Sequence, residues 1–378
     1  MDTDVVVVGG GLTGCATAYA LGAAGVKVVL LEANQVGRGA TGSSGGWVGD
    51  DPGVSFASLE KAIGQRTARR ALQAWHRAGL DFAALLRRLN IKCDLEPRGA
   101  LTVAMTPEQA SRVKREQKAR QEAGLEAPLV NSRVIAGEVA LPAAAAIRTR
   151  DGSTIDPYRA ALGLAAAAAQ RGARLFERSA VAKITFNRRT AEVYTAGGAI
   201  RTARVVIATG FPTALFKALR RHFWFRHTYF AMTAPIPAKA RHGLGERQAV
   251  VRDAADPPHI VRWVDDERLL VIGADAESPP DRQREKVIVQ RTGQLMYELS
   301  TLYPDISGIA PDYGWDAAYA RTADGLPYIG PHRNYPHHLF VFGDSSHGVT
   351  GAYLASRILL RQHLEEIEPA DEIFGFRL

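Results

Sequence analysis

The sequence predicts an α/β protein in which a Rossmann-like nucleotide-binding domain is joined to a second, α+β domain built on a mainly antiparallel sheet. Three observations lead there. An apolar first strand runs straight into Gly9-Gly10-Gly11-Leu12-Thr13-Gly14, and a second apolar strand, 26–31, ends on Glu32. Two later apolar runs, 204–210 and 339–343, also stop on glycine. Runs without polar alternation suit strands covered on both faces of a parallel sheet. Residues 223–275 instead alternate and carry turn signals at Pro235, Pro237, Asp256-Pro257-Pro258 and Asp265-Asp266, the pattern of half-buried antiparallel strands.

The opening is a G-x-G-x-x-G turn in the order strand, turn, helix, strand, acidic residue. Gly9 permits the sharp turn, Gly11 lets backbone approach a pyrophosphate, and Gly14 lets the helix pack on the sheet. The helix then points its N-terminal N–H groups at the anion. Glu32 is placed to accept hydrogen bonds from ribose hydroxyls, and its charge disfavours a 2′-phosphate. A polar, glycine-dense loop follows, Arg38-Gly39-Ala40-Thr41-Gly42-Ser43-Ser44-Gly45-Gly46, leading to Trp47. Apolar spacing predicts helix over 56–90, and 95–105 reads as strand. Thr106 caps a charged helix to about 123, with Pro107 at its first position and Gly124 past its end. The turn 151–158 feeds an alanine-rich helix that Gly172 ends. Strands are expected at 174–184, 191–195 and 199–203, with Gly197-Gly198 in the last hairpin. The run 204–210 is read as a further strand, 281–302 as a helix and 349–364 as the closing helix.

A chain of 378 residues exceeds one compact core and predicts two domains. Hydrophobic content of 46% and charged content of 23% place it among ordinary globular enzymes. No apolar run approaches the roughly 18 residues that span a bilayer, and a strand beginning at about Asp4 leaves no room for a secretory leader. Cys15 and Cys93 form no C-x-x-C pair, so neither a disulfide framework nor a metal site is expected and a reducing cytoplasm is the default. The net charge is +8. The basic stretch 112–120 carries interleaved Glu and reads as a solvated helix face, and 217–227 mixes bases with aromatics. No nucleic-acid-binding motif accompanies either, so nucleic acid is not an expected partner.

Further glycine-punctuated sites, 38–46, 208–210 and 343–351, exceed what a nicotinamide enzyme needs. With Asp156-Pro157, Val205-Val206-Ile207-Ala208-Thr209-Gly210, Thr322-Ala323-Asp324-Gly325-Leu326-Pro327-Tyr328-Ile329-Gly330 and Gly343-Asp344-Ser345-Ser346-His347-Gly348-Val349-Thr350-Gly351, the chain resembles, over essentially its whole length, the D-amino-acid-oxidase-like FAD-dependent oxidoreductases, in the branch of glycine, sarcosine and γ-glutamylputrescine oxidases. The resemblance implies a glutathione-reductase-like FAD-binding domain from 1–85, 148–215 and 319–378, and a substrate domain from 86–147 and 216–318. It implies that Gly9, Gly10, Gly11, Leu12, Thr13 and Gly14 line the pyrophosphate and that Glu32 and Ala33 hold the adenosine ribose. Arg38, Gly39, Ala40, Thr41, Ser43, Ser44, Gly45 and Gly46 would run along the diphosphate and the ring, and Val181 would present its backbone to adenine. Ala208, Thr209 and Gly210 would close the back of the cofactor, while Gly343, Ser346, His347, Gly348, Val349 and Thr350 approach the pyrimidine end. A helix starting near Gly348 would aim its positive end at the negative charge of reduced flavin. His347 is either a proton-shuttling or oxygen-reactive residue or a packing histidine.

The chemistry implied is oxidation of an amine or amino acid to an imine by hydride transfer, with O2 or an electron carrier as acceptor. Three departures from the family pattern stand out. Where amino-acid-oxidising members carry a carboxylate-gripping arginine, this chain has Tyr319, and Arg321, two residues on, is expected on the other face of an extended segment. Arg262 is the alternative anchor, unless the substrate lacks an α-carboxylate. Trp47, Trp315 and Tyr319 are further substrate-contact candidates, the last two as an aromatic wall for a cation or as core packing. Thr350 stands where sarcosine oxidases use lysine, and Ala317 stands about where monomeric sarcosine oxidases tether the flavin, so FAD is expected to bind non-covalently. A carrier-linked dehydrogenase of an amine or 2-hydroxy acid, and a flavin-binding subunit of a larger complex, are the competing readings. The sequence leaves the oligomeric state open.

Overall fold

The computed structural model describes residues 1–255, 258–343 and 349–376. Five parallel strands form the centre of the first sheet, in the spatial order Arg174–Phe176, β2 (Val28–Leu31), β1 (Asp2–Val8), the latter half of Gly198–Gly210, and Tyr335–Phe342. β1 runs from Val5 to Val8 fully buried, and the helix α1 (Leu12–Ala23) packs on it and against the helices Pro157–Gln170 and Val349–Leu364. Val5 and Val7 pack with these helices, while Val6 and Val8 pack on the other side with Val193, Phe216, Leu219 and Phe340, so both faces are buried and the run lacks polar alternation.

The run expected as two strands, 199–203 and 204–210, is one continuous strand, Gly198–Gly210. Its first half pairs antiparallel with Ala191–Thr195, and its second half pairs parallel with β1 and with Tyr335–Phe342. Arg204 marks no break, because the change of neighbours needs no turn. The expected strand 174–184 divides instead into Arg174–Phe176 and Val181–Phe186, which join different parts of the sheet. The expected helix 56–90 divides at Gly64 (φ +80°) into Phe56–Ile63 and Gln65–Arg88. Thr106 caps its helix as expected, accepting from Gln109 N, and Asp156 caps the helix Pro157–Gln170, accepting from Arg159 N.

The second sheet has eight strands. Its order is Pro311–Arg321, Trp224–Thr233, Arg268–Glu277, Ile260–Val264, Val250–Asp253, Ala100–Ala104, Ala145–Thr149 and Leu129–Asn131. All neighbours are antiparallel except Val250–Asp253 beside Ala100–Ala104. The helix Arg284–Leu302 covers one face, burying Leu295 and Leu299 against Tyr229, Val261 and Trp263. Arg284 grips the buried Asp316 there with two nitrogens, and His227 Nδ1 lies 2.6 Å from the same carboxylate. The opposite face holds Phe230, Ile260, Leu270 and Ile272, packed with Trp47 from the N-terminal segment. That face looks toward the first sheet and forms one wall of the site.

Candidate active site

A cavity of about 310 Å³ opens beyond the carboxyl ends of β1, β2 and Gly198–Gly210 and reaches the second sheet. The crevice at that edge is where open α/β sheets bind ligands. At one end lie Gly9, Gly11, Leu12 and Thr13 with Glu32, Ala33, Ser179 and Val181; at the other lie Thr228, Phe230, Ala317, Ala318 and Tyr319. Gly39, Ala40, Thr41 and Ser44 run between them, and Ala208, Thr209, Gly210 and Phe211 back the cavity with Val349 and Ala352.

The turn is fixed by close backbone approach. Gly9 has φ +109°, and a β-carbon there would lie 2.6 Å from the Ala208 carbonyl oxygen; one on Gly14 would lie 1.8 Å from the Gly9 oxygen. Gly11, as N-cap of α1, provides no side-chain cap. Thr41 reaches back so that its Oγ1 accepts from Leu12 N at 2.9 Å. Glu32 accepts from Gly10 N through Oε2 at 2.7 Å and from Asn34 N through Oε1 at 2.8 Å. Each carboxylate oxygen keeps a lone pair for a ligand hydroxyl. The Glu32 carbonyl accepts from Ser179 N at 2.8 Å, which brings Val181 to the same end. A helix start whose N-cap residue offers no side chain, a glycine cradle and a tethered acid are together what the dinucleotide end of FAD requires.

The remaining sequence-predicted residues that the structure describes fall outside the cavity wall. Gly10 backs onto the Glu32 side chain and Gly14 onto Gly9. Arg38 is exposed. Ser43, Gly45 and Gly46 sit one step behind the wall: Ser43 O accepts from Trp315 Nε1 at 2.9 Å, Gly45 O from Arg262 Nε at 2.7 Å and Gly46 O from Ile155 N at 2.8 Å. Arg262 therefore holds the loop, and burial together with the like charge of Arg98 brings its guanidinium down to about 10. Trp47 is buried. Trp315 stacks on Phe230, ring centroids 5.0 Å apart, so Phe230 faces the cavity and Trp315 supports it. Gly343 is buried against Thr322 and Phe223, and Thr350 donates to the Gly49 carbonyl at 2.8 Å. Ser346, His347 and Gly348 lie outside the described residues.

One expectation is corrected. Pro311–Arg321 is a regular strand paired residue by residue with Trp224–Thr233, and residues two apart in a strand share a face. Arg321 therefore lies on the same face as Tyr319, at the exposed end of the strand. Sequence reasoning missed Thr228 and Phe230; their alternation within a strand was visible, but which face met the cofactor sheet was not. It also missed Asp275, whose Oδ2 accepts from the Tyr319 hydroxyl at 2.5 Å. Burial and the Asp275 charge push the Tyr319 phenol well above its ordinary range.

Fold and cavity define a Rossmann-like dinucleotide-binding protein, and comparison with known proteins gives the family. The model described as DAO, FAD dependent oxidoreductase, matches residues 4–362. The chain belongs to this family, and it is an FAD-dependent enzyme of the kind that acts on amines or amino acids. It is 30% identical over 364 residues to the gamma-glutamylputrescine oxidoreductase of Escherichia coli K12, covering 94% of this chain and 82% of that protein. It is 26% identical to a glycine oxidase of Bacillus licheniformis, covering 94% and 93%. The crystal structure of glycine oxidase from Geobacillus kaustophilus superposes with a TM-score of 0.83 at 23% identity, covering 100% of this chain and 98% of that one. Among the described residues no helix is long and apolar enough to cross a membrane, and no cluster of possible metal ligands occurs.

Proposed function

We propose that this enzyme oxidises the C–N bond of a cationic amine to an imine, with FAD as immediate acceptor and O2 as final oxidant. The observation that carries it is the wall opposite the nucleotide cradle. The residues that line the cavity there, Thr228, Phe230, Ala317, Ala318 and Tyr319, carry no charge, and Tyr319 stands where amino-acid-oxidising members of the family carry a carboxylate-gripping arginine. Bound FAD supplies a two-electron acceptor at N5. The amine loses a hydride from carbon and a proton from nitrogen, the imine takes up water to release a carbonyl compound and ammonia or a smaller amine, and O2 takes two electrons and two protons to become H2O2. The protein's part is positioning. Phe230, backed by Trp315, forms a flat surface, Thr228 and Ala317 leave room beside it, and Arg262 fixes the loop through Gly45. The gamma-glutamylputrescine oxidoreductase likeness supports an amine at the end of a longer molecule. We assign 1–85, 148–215 and 319–378 to FAD binding and 86–147 with 216–318 to substrate binding, and place the protein in the cytoplasm, consistent with two free cysteines.

Anaerobic addition of the right amine should bleach the absorbance at about 450 nm, and air should restore it with one H2O2 per turnover. Bleaching without peroxide removes O2 and leaves a carrier. No bleaching by putrescine, γ-glutamylated amines, glycine, sarcosine, proline or D-amino acids removes the reading.

We also propose that FAD is held without a covalent bond. Ala317 lines the cavity, while Cys15 lies inside α1 with Sγ directed at the Gly10 carbonyl, its thiol pushed up to about 12 by burial. Acid precipitation should leave all the yellow colour in the supernatant; a yellow pellet contradicts it.

A further inference from the structure

Two opposite charges sit beside the cavity-lining Tyr319 without pairing with each other. Arg226 lies directly across the ladder from Tyr319, on the same face. Its Nη2 donates at 3.5 Å to the carbonyl oxygen of Asp275, not to the carboxylate. The Asp275 carboxylate is turned to the Tyr319 hydroxyl, and Tyr319 lines the cavity. All three residues are half-buried. Among the described residues neither the Arg226 guanidinium nor the Asp275 carboxylate joins an ion pair, whereas Asp316, on the opposite face of Pro311–Arg321, pairs with Arg284. Glu277, opposite Arg226 on its other side, is exposed and also makes none.

An adjacent cation and anion normally collapse together unless something else takes up their hydrogen-bonding capacity. A guanidinium offers a planar fork that fits a carboxylate, and a carboxylate beside a phenol accepts from an ammonium. We infer that Arg226, Tyr319 and Asp275 form a subsite for a zwitterionic amino-acid head group, carboxylate on Arg226 and ammonium on Asp275. This rests on the proposed amine oxidation and narrows its substrate class. An ammonium held by a carboxylate stays protonated and has no lone pair from which imine formation can start. The head-group amine is therefore not the one oxidised. The reacting amine is a second one, further along the same molecule, which reaches past Thr228 and Phe230 to the flavin.

Three compounds separate the parts: 2-aminopentanoate (head group alone), butylamine (amine alone) and 2,5-diaminopentanoate (both). By calorimetry on the FAD-loaded enzyme, 2-aminopentanoate should bind about tenfold or more tightly than butylamine, and it should not bleach the flavin. Anaerobic bleaching by 2,5-diaminopentanoate should exceed that by butylamine about tenfold or more in kcat/KM. Asp275→Asn and Arg226→Met should each erase both preferences, through KM or Kd rather than kcat, with flavin content and melting temperature unchanged. Failure of 2-aminopentanoate to bind, its own oxidation, or preferences that survive both substitutions overturns the inference. If no amine bleaches the flavin, yet 2-aminopentanoate binds and the variants lose it, the proposed oxidation falls and the head-group subsite stands.

Discussion

Gly14→Ala is expected to yield a protein that no longer retains FAD. The added methyl would lie 1.8 Å from the Gly9 carbonyl oxygen, far inside contact distance. The obstacle is backbone, so no side chain can swing aside. Gly9 cannot retreat either: its φ is +109°, its N donates to the Leu31 oxygen at 2.9 Å, and Ala208 lies behind it. The only relief is to lift α1 off β1, which opens the cradle and breaks the packing of α1 on two other helices. Overpacking of a core typically costs about 1–3 kcal/mol, and a backbone clash belongs at or above the top of that range. The ratio of absorbance at about 450 nm to that at 280 nm should fall about tenfold or more. Gly137→Ala, where the new methyl meets nothing within 4 Å, should leave both flavin content and stability unchanged. Equal flavin content in the two variants would contradict this account of the turn.

Asp51→Ala should destabilise the fold by about 3–5 kcal/mol, because it takes the shared carboxylate from Arg252, held otherwise by the Gly53 carbonyl, and from Arg120, held otherwise by Glu116. The Asp51 carboxylate accepts from Arg252 Nη1 at 3.2 Å and from Arg120 Nη2 at 3.3 Å. Arg120 also pairs with Glu116 at 2.7 Å, and Glu116 accepts from Phe56 N and Ala57 N at the start of the helix Phe56–Ile63. One cluster thus ties the second sheet, the helix Pro107–Glu122 and the loop that carries Trp47 and Gly49. Burial alone would raise the Asp51 carboxyl, but Arg252 and Arg120 outweigh it and hold the carboxyl below its ordinary range. Its contribution is therefore present above the unfolded pKa of about 4 and is lost as pH falls through the lower folded value. Asp50 behaves in the opposite sense. Burial, then the Asp51 charge, pushes it up to about 6. It binds its proton more tightly folded than unfolded, so stability falls as pH rises from about 4 through 6. Asp50→Asn should accordingly raise the melting temperature at pH 7 and change it little at pH 4. Denaturation midpoints of the two variants from below pH 4 up to pH 7 check both signs.

The nucleotide half was legible because its constraints are local. Gly9, Gly11, Gly14 and Glu32 lie within 24 residues, and the turn, the helix start and the acid each demand a residue type at a fixed spacing. The apolar runs of β1, 204–210 and Leu339–Phe342 likewise declare burial on both faces without reference to any partner. The continuous strand Gly198–Gly210 was harder, since a strand that changes neighbours halfway leaves no mark in its own residues.

The substrate wall belongs to the other category. Alternation announces that Trp224–Thr233 and Pro311–Arg321 have two faces, yet each face meets another part of the molecule, one the helix Arg284–Leu302 and one the cavity. Nothing in the local pattern says which is which. Only the register of the pair sets Arg226 across from Tyr319, and only the neighbouring strand brings in Asp275, 44 residues earlier in the chain. By itself the sequence determined a dinucleotide cradle and the family's cofactor, since those follow from short-range backbone geometry. Tertiary structure alone decided which charges gather beside the cavity, because contacts between distant strands depend on pairing that no segment encodes within its own length.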